Sequence, residues 1–196
     1  MQEVILVIRI ISPHTMISNP TSRNVSYRHT VAAIVYKDDP VLDQRMYLAV
    51  QKPQWEQSEW SVVQGGLEEH GGEEHVALDL ELSEELGTKK FGVPREMPQY
   101  FHRQFTGRTK GRYPERSGYM GKKMKYFYVE YTGLEGEITV GTELSSFRWM
   151  NREEFLSSVK YVNELEKVLD YMEAMPVKTE IVGLERRVKR QMVAVV

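Results

Sequence analysis

The sequence predicts a mixed α/β fold, on three observations. Apolar runs of strand length recur at Thr30–Tyr36 (TVAAIVY), Met46–Gln51, Trp60–Val63, Lys123–Tyr131 (KMKYFYVEY) and Phe147–Met150. Between and after them, Glu73–Leu86 and Val162–Met175 repeat apolar residues at helical spacing. Length and composition then fit one domain with a full core: 196 residues, 41% hydrophobic and 28% charged. Strands interrupted by helices call for a sheet with helices packed on it.

Each element has its own local reason. Val4–Ile11 (VILVIRII) is broken by Arg9, lacks a basic leader and is too short to span a bilayer, so it reads as a strand. Residues 12–26 are polar, contain Pro13 and Pro20, and read as a connector. The KDDPVLDQ stretch is a loop joining Thr30–Tyr36 to a hairpin partner at Met46–Gln51. Trp60–Val63 ends at Gly65 and Gly66, and the next helix stops at Gly87, a residue suited to a left-handed end. A turn is expected at Gly133–Gly136. Asn151 with Glu154 three residues on marks a helix start, and Leu165, Val168, Leu169 and Met172 form the buried stripe of a last helix that Pro176 ends. The expected organisation is an N-terminal extension over 1–26, the main domain over 27–175, and a basic tail over 176–196 with Arg186, Arg187, Lys189 and Arg190, forming a strand or an arm.

Composition excludes some chemistry. With no cysteine there is no disulfide, no thiolate zinc site and no catalytic thiol, and the expected compartment is the cytoplasm. The histidines at 14, 29, 70, 75 and 102 lack metal-ligand spacing. No membrane association and no obligate protein partner are evident. Net charge is −2, yet between Lys89 and Lys125 the acids are Glu96 and Glu115 against many lysines and arginines. Such opposition of a basic stretch to an acidic helix suits a site for a polyanion and a cation, or two solvated faces.

The acidic helix carries most of the information. Glu81, Glu84 and Glu85 stand three and four residues apart and fall on one face, with Glu74 near it. Like charges at that spacing cost free energy unless they are neutralised. Leu78, Leu82 and Leu86 form one apolar stripe and Val76 with Leu80 a second, which would pin the helix on both sides of the acids. Clustered oxygen ligands without histidine or cysteine match hard cations, Mg²⁺ or Mn²⁺, which usually bridge to substrate phosphates.

Gly66, Glu81, Leu82, Glu84, Glu85 and Gly87 keep the spacing of the Nudix box, G-x5-E-x7-R-E-U-x-E-E-x-G-U with U apolar, and the segment resembles it. Gly72 stands where the family has its first glutamate, Leu80 where it has arginine, and Thr88 at the last apolar position. Tyr27-Arg28, Trp60-x3-Gln64-Gly65-Gly66, Gly121-x-Lys123-x-Lys125-Tyr126-Phe127 and Glu143-x3-Phe147-Arg148-Trp149 follow in the order of one branch of the family. That branch contains RNA 5′-pyrophosphohydrolases and dinucleoside tetraphosphate hydrolases.

The resemblance implies a Nudix-type α/β/α sandwich, a mixed sheet between helices, and metal-dependent hydrolysis of a phosphoanhydride bond. The substrate would be a nucleoside polyphosphate, either an RNA 5′ triphosphate end or a dinucleoside polyphosphate. It implies metal-binding and catalytic roles for Glu81, Glu84, Glu85 and Glu143, the last an acid from a loop opposite the box helix. It implies substrate contacts for Arg28, Lys52, Gln64, Gly65, Gly66, Lys123 and Lys125, and a base-stacking place for Tyr161. Lys123 and Lys125 alternate with Met124 and Tyr126, so they share one face of their strand. With Gly72 and Leu80 at the altered positions, the alternative is a binding module that senses a nucleotide or RNA end without cleaving it.

Overall fold

The computed structural model describes residues 26–68 and 71–175. The expected strand at Val4–Ile11, the connector up to residue 25 and the basic tail lie outside these residues.

Among the described residues, ten strands and α-helices follow along the chain: β1 (Ser26–Asp39), β2 (Gln44–Gln51), β3 (Val63–Gly66), α1 (Glu74–Leu86), β4 (Arg95–Gln104), α2 (Gly107–Arg112), β5 (Tyr119–Glu130), β6 (Ser146–Met150), α3 (Arg152–Ser158) and α4 (Val162–Ala174). The six strands form one mixed sheet in the order β4-β5-β1-β2-β6, with β3 paired to β1. β1 and β5 are parallel; the other pairs are antiparallel. The β1–β2 hairpin forms as expected from Tyr36 opposite Tyr47 to Asp39 opposite Gln44. Farther back, β1 leaves β2 and pairs instead with β3, Thr30 opposite Gly66. The divergence places the double glycine beside the central strand.

Alternation along β1 and β5 sorts the core into two layers. Val31, Ala33, Val35, Phe127 and Val129 meet Ala77, Leu78, Leu82 and Leu86 of α1. Ala32, Ile34, Met124 and Tyr126 meet Phe155 of α3 and Leu165, Val168, Leu169 and Met172 of α4. Both faces of the sheet are therefore covered by helices. The three-layer α/β/α arrangement is the one expected.

Caps fall where the sequence places them. Gly87 closes α1 at φ 63°, its N–H donating to the Ser83 carbonyl, and Asn151 Oδ1 accepts from Glu154 N–H at 2.9 Å. The Glu154 carboxylate turns to Arg148.

Three expectations change. Strand β4 and the short helix α2 lie within the Lys89–Lys125 basic stretch, where no element was expected. β4 is an edge strand that buries Met97 and little else, and it carries Pro98 within an irregularity between Glu96 and Tyr100. An edge tolerates proline, and a mostly exposed strand shows no apolar alternation. The second change concerns α1: Val76 and Leu80 are exposed, so the helix packs through one stripe rather than two. The third concerns the entry to the glycines, where Trp60 and Ser61 make isolated bridges and the regular strand runs from Val63 to Gly66. The Gly133–Gly136 turn includes a single 3-10 turn over Glu135–Glu137.

Candidate active site

β3 has glycines because side chains from two directions lie against its backbone. A Cβ on Gly65 would stand 1.4 Å from Glu81 Oε1, and one on Gly66 would stand 2.2 Å from an Arg28 guanidinium nitrogen. Successive strand residues face opposite sides of a sheet, so the α1 carboxylate and the β1 guanidinium approach from the two faces. Any larger residue at either glycine displaces one of them.

The acids of α1 divide by exposure. Glu81 and Glu85, one turn apart, are buried at 8% and 3% exposure, whereas Glu84 points to solvent. Both Glu85 carboxylate oxygens are buried without a hydrogen bond among the described residues. Lys52 Nζ approaches Glu85 Oε1 to 3.4 Å as an ion pair and donates to Glu143 Oε2 at 2.8 Å. Burial pushes the Glu85 carboxyl up to about 7; Lys52 opposes the rise, and the neighbouring Glu81 charge adds to it. Glu143 is held below the ordinary carboxylate range by its hydrogen bond from Lys52. Burial disfavours the Lys52 ammonium, but Glu85 and Glu143 more than offset it and raise its pKa.

Next to these acids opens a cavity of about 910 Å³. Arg28, Lys52, Gln64, Gly65, Gly66, Glu81, Glu143 and Tyr161 line it, as do Arg103, Arg116 and Lys122, which the sequence reading did not single out. Glu85 lies behind the wall, reached through Lys52. Tyr161 begins α4 in the left-handed region at φ 64°, an uncommon state for a bulky residue. Its ring lies 3.6 Å below the Arg103 guanidinium, which Glu164 holds with bonds of 2.8 and 3.0 Å.

Lys123 and Lys125 do share a face, but it is the α1 face, away from the cavity lining. Both stand over the Tyr100 ring, at 4.1 and 5.0 Å, and Lys125 pairs with Glu96 at 3.7 Å. Lys122, one residue earlier, takes the cavity side. Its Nζ donates to Gln64 Oε1 at 3.0 Å.

The fit of this site to a cation rests on its donors. Among the described residues no three His, Asp or Glu side chains converge closely enough to hold a metal ion as they stand. The Glu85 oxygens nonetheless lack hydrogen-bond donors, Glu81 lies beside them, and the positive charge they need comes from the Lys52 ammonium. A buried, oxygen-only set so compensated suits a hard divalent cation.

Comparison with known proteins agrees with this architecture. Over 109 residues the chain is 30% identical to an RNA pyrophosphohydrolase of Cereibacter sphaeroides, a match covering 51% of this chain and 64% of that protein. The match to the RNA pyrophosphohydrolase of a Nitratiruptor species is 28% over 151 residues, covering 74% of this chain and 92% of that one. In fold, the chain resembles the E. coli dihydroneopterin triphosphate pyrophosphohydrolase (TM-score 0.59, 16% identity, 74% of this chain and 97% of that one). It also resembles a C. elegans Ap4A hydrolase (TM-score 0.54, 13% identity, 74% and 99%). The NUDIX domain model matches residues 26–172, and the chain belongs to that family.

Proposed function

We propose that the chain hydrolyses a phosphoanhydride bond in a nucleoside polyphosphate-type substrate, an RNA 5′ triphosphate end or a dinucleoside polyphosphate, with Mg²⁺ or Mn²⁺ as cofactor. The observation that carries this reading is the buried Glu85 carboxylate, without hydrogen bonds among the described residues, beside Glu81 and next to a cation-lined cavity. Relatives named RNA pyrophosphohydrolase and a fold neighbour named Ap4A hydrolase support the substrate class. The working unit is residues 27–175, flanked by the two extensions, and its compartment is the cytoplasm, where such substrates occur.

In this reading Glu81, Glu84, Glu85 and Glu143 hold the divalent cation. When bound, such a cation neutralises phosphate oxygens and acidifies the attacking water. Without a cation, burial raises the Glu85 carboxyl to about 7, and a bound cation would supply the positive charge that favours its ionised form. Gly65 lets Glu81 reach the cavity, and Arg28 and Lys52 bring positive charge to the phosphates. Gln64 fixes the rim, and the exposed Tyr161 ring offers a base a stacking surface. Lys123 and Lys125 are not assigned phosphate contacts, because they line the other face.

A second reading has a specific observation behind it. Leu80, where the family has arginine, is exposed, and Gly72 has open space at a left-handed φ of 86°. Neither replaces a carboxylate-orienting contact, and the outcome would be a module that binds a nucleotide or RNA end without cleaving it. Phosphate release from a triphosphorylated RNA and from a dinucleoside tetraphosphate, with Mg²⁺ and with chelator, separates the two. Chelator-sensitive release supports the hydrolase, and the faster substrate names its class. Tight binding of both without release supports the module.

A further inference from the structure

Across the sheet face that floors the cavity, three basic side chains stand abreast. Arg28 is the register partner of Lys122 in the parallel β1–β5 pair, and Arg103 is its partner in the antiparallel β4–β5 pair. All three line the cavity. Like charges directly opposite on neighbouring strands destabilise a sheet, so such a row needs compensation. The flanking residues have it: Arg28 Nε lies 3.8 Å from Glu68 Oε2, and Arg103 is held by Glu164. Lys122 has no carboxylate partner among the described residues. Its one hydrogen bond goes to the neutral Gln64 Oε1, and Gln64 Nε2 in turn donates to Ser61 Oγ at 3.3 Å. An ammonium carries three donors, so two remain for a ligand.

We propose that Lys122, at the centre of the Arg28–Lys122–Arg103 row, binds the phosphate chain of the substrate and sets the preference of this cavity for a polyanion. The identity of the chain as a substrate rests on the hydrolase reading above; the row itself rests on strand register. Three adjacent strands span roughly 10 Å, more than a single phosphate fills. Lys122 is 9% exposed. Burial, with the charges of Arg116, Arg28, Arg103 and Lys52, pushes its ammonium well below the ordinary lysine range. The acids of the cavity wall, Glu59, Glu68, Glu81 and Glu143, do not reverse this. A buried amine in this position costs stability and adds no packing that a methionine would not supply. Such a cost is expected where a ligand repays it.

The test is calorimetric titration of the full chain with inorganic tripolyphosphate in chelator, where no metal-dependent turnover intervenes. It is run between neutrality and the ordinary lysine pKa, in two buffers of different ionisation enthalpy. The wild type and the surface control Lys167→Met are expected to bind with proton uptake. Lys122→Met is expected to bind about tenfold or more weakly, to lose that uptake, and to melt at the same or a higher temperature. Unchanged affinity in Lys122→Met overturns the proposal, and so does a lowered melting temperature with proton uptake retained, which marks a structural lysine. Orthophosphate binding as tightly as tripolyphosphate overturns the assignment to a chain. Because no divalent cation is present, these outcomes stand apart from whether the chain hydrolyses anything.

Discussion

Lys52 and Glu85 face each other at 3.4 Å, and the same ammonium donates to Glu143 at 2.8 Å, so one lysine ties the acid of the box helix to the acid of the opposite loop. The contact is largely buried, with the two side chains 17% and 4% exposed. Removing one member of a buried pair leaves the other charge uncompensated. Lys52→Met is therefore expected to lose about 3 kcal/mol of stability in chelator above neutral pH. Denaturant unfolding checks this, and a loss below about 0.5 kcal/mol would show the pair to be solvent-screened.

The Glu85 carboxyl gives the metal-free protein a pH dependence of known sign. Its folded pKa of about 7 lies above the ordinary value of 4.5, so between these the folded state holds more protons than the unfolded one. Stability contributed by this group is present at acid pH and falls as pH rises through 7. Glu85→Gln, which stays neutral, should thus gain on the wild type by roughly 1–3 kcal/mol between pH ~5 and ~8. Melting curves of both proteins in chelator across that range measure the gap, and parallel curves would contradict the raised pKa.

Gly65→Ala tests the glycine window directly. The added Cβ falls 1.4 Å from Glu81 Oε1, and the carboxylate at the end of a flexible side chain moves before the strand does. The fold should survive while Mn²⁺ affinity, followed by electron paramagnetic resonance, drops about 10- to 100-fold. Wild-type Mn²⁺ affinity in this variant would separate Glu81 from the cation.

Tyr161→Ala removes the exposed ring beside Arg103 and leaves the left-handed backbone as it is, since alanine also carries a Cβ. A base stacked on an aromatic ring is worth roughly 1–3 kcal/mol. The variant should raise KM for a nucleotide substrate with kcat little changed, and keep its affinity for tripolyphosphate, which has no base. Loss of both affinities together would point to a structural role through Arg103.

Much of the candidate site's geometry was legible because its signals are local. The double glycine, the i,i+4 acids and the Gly87 stop each follow from backbone geometry within one element, and all appear in the structure. The side of the sheet was not legible. Alternation shows that Lys123 and Lys125 share a face, but only the parallel β1–β5 register shows that Lys122 has the cavity side. Val76 and Leu80 carry the helical period of a buried stripe yet face solvent, because the sheet meets α1 along the Leu78–Leu82–Leu86 line. Strand β4 escaped notice for a related reason: an edge strand with Pro98 and one buried residue has almost no apolar pattern to read.

The central claim is that Glu81 and Glu85 make a cation site that drives phosphoanhydride cleavage, and phosphate release in Mg²⁺ by the wild type and by Glu85→Gln tests it most directly. A fall of about 100-fold or more in kcat, with tripolyphosphate binding in chelator retained, is the expected result. Equal turnover by both proteins would contradict it.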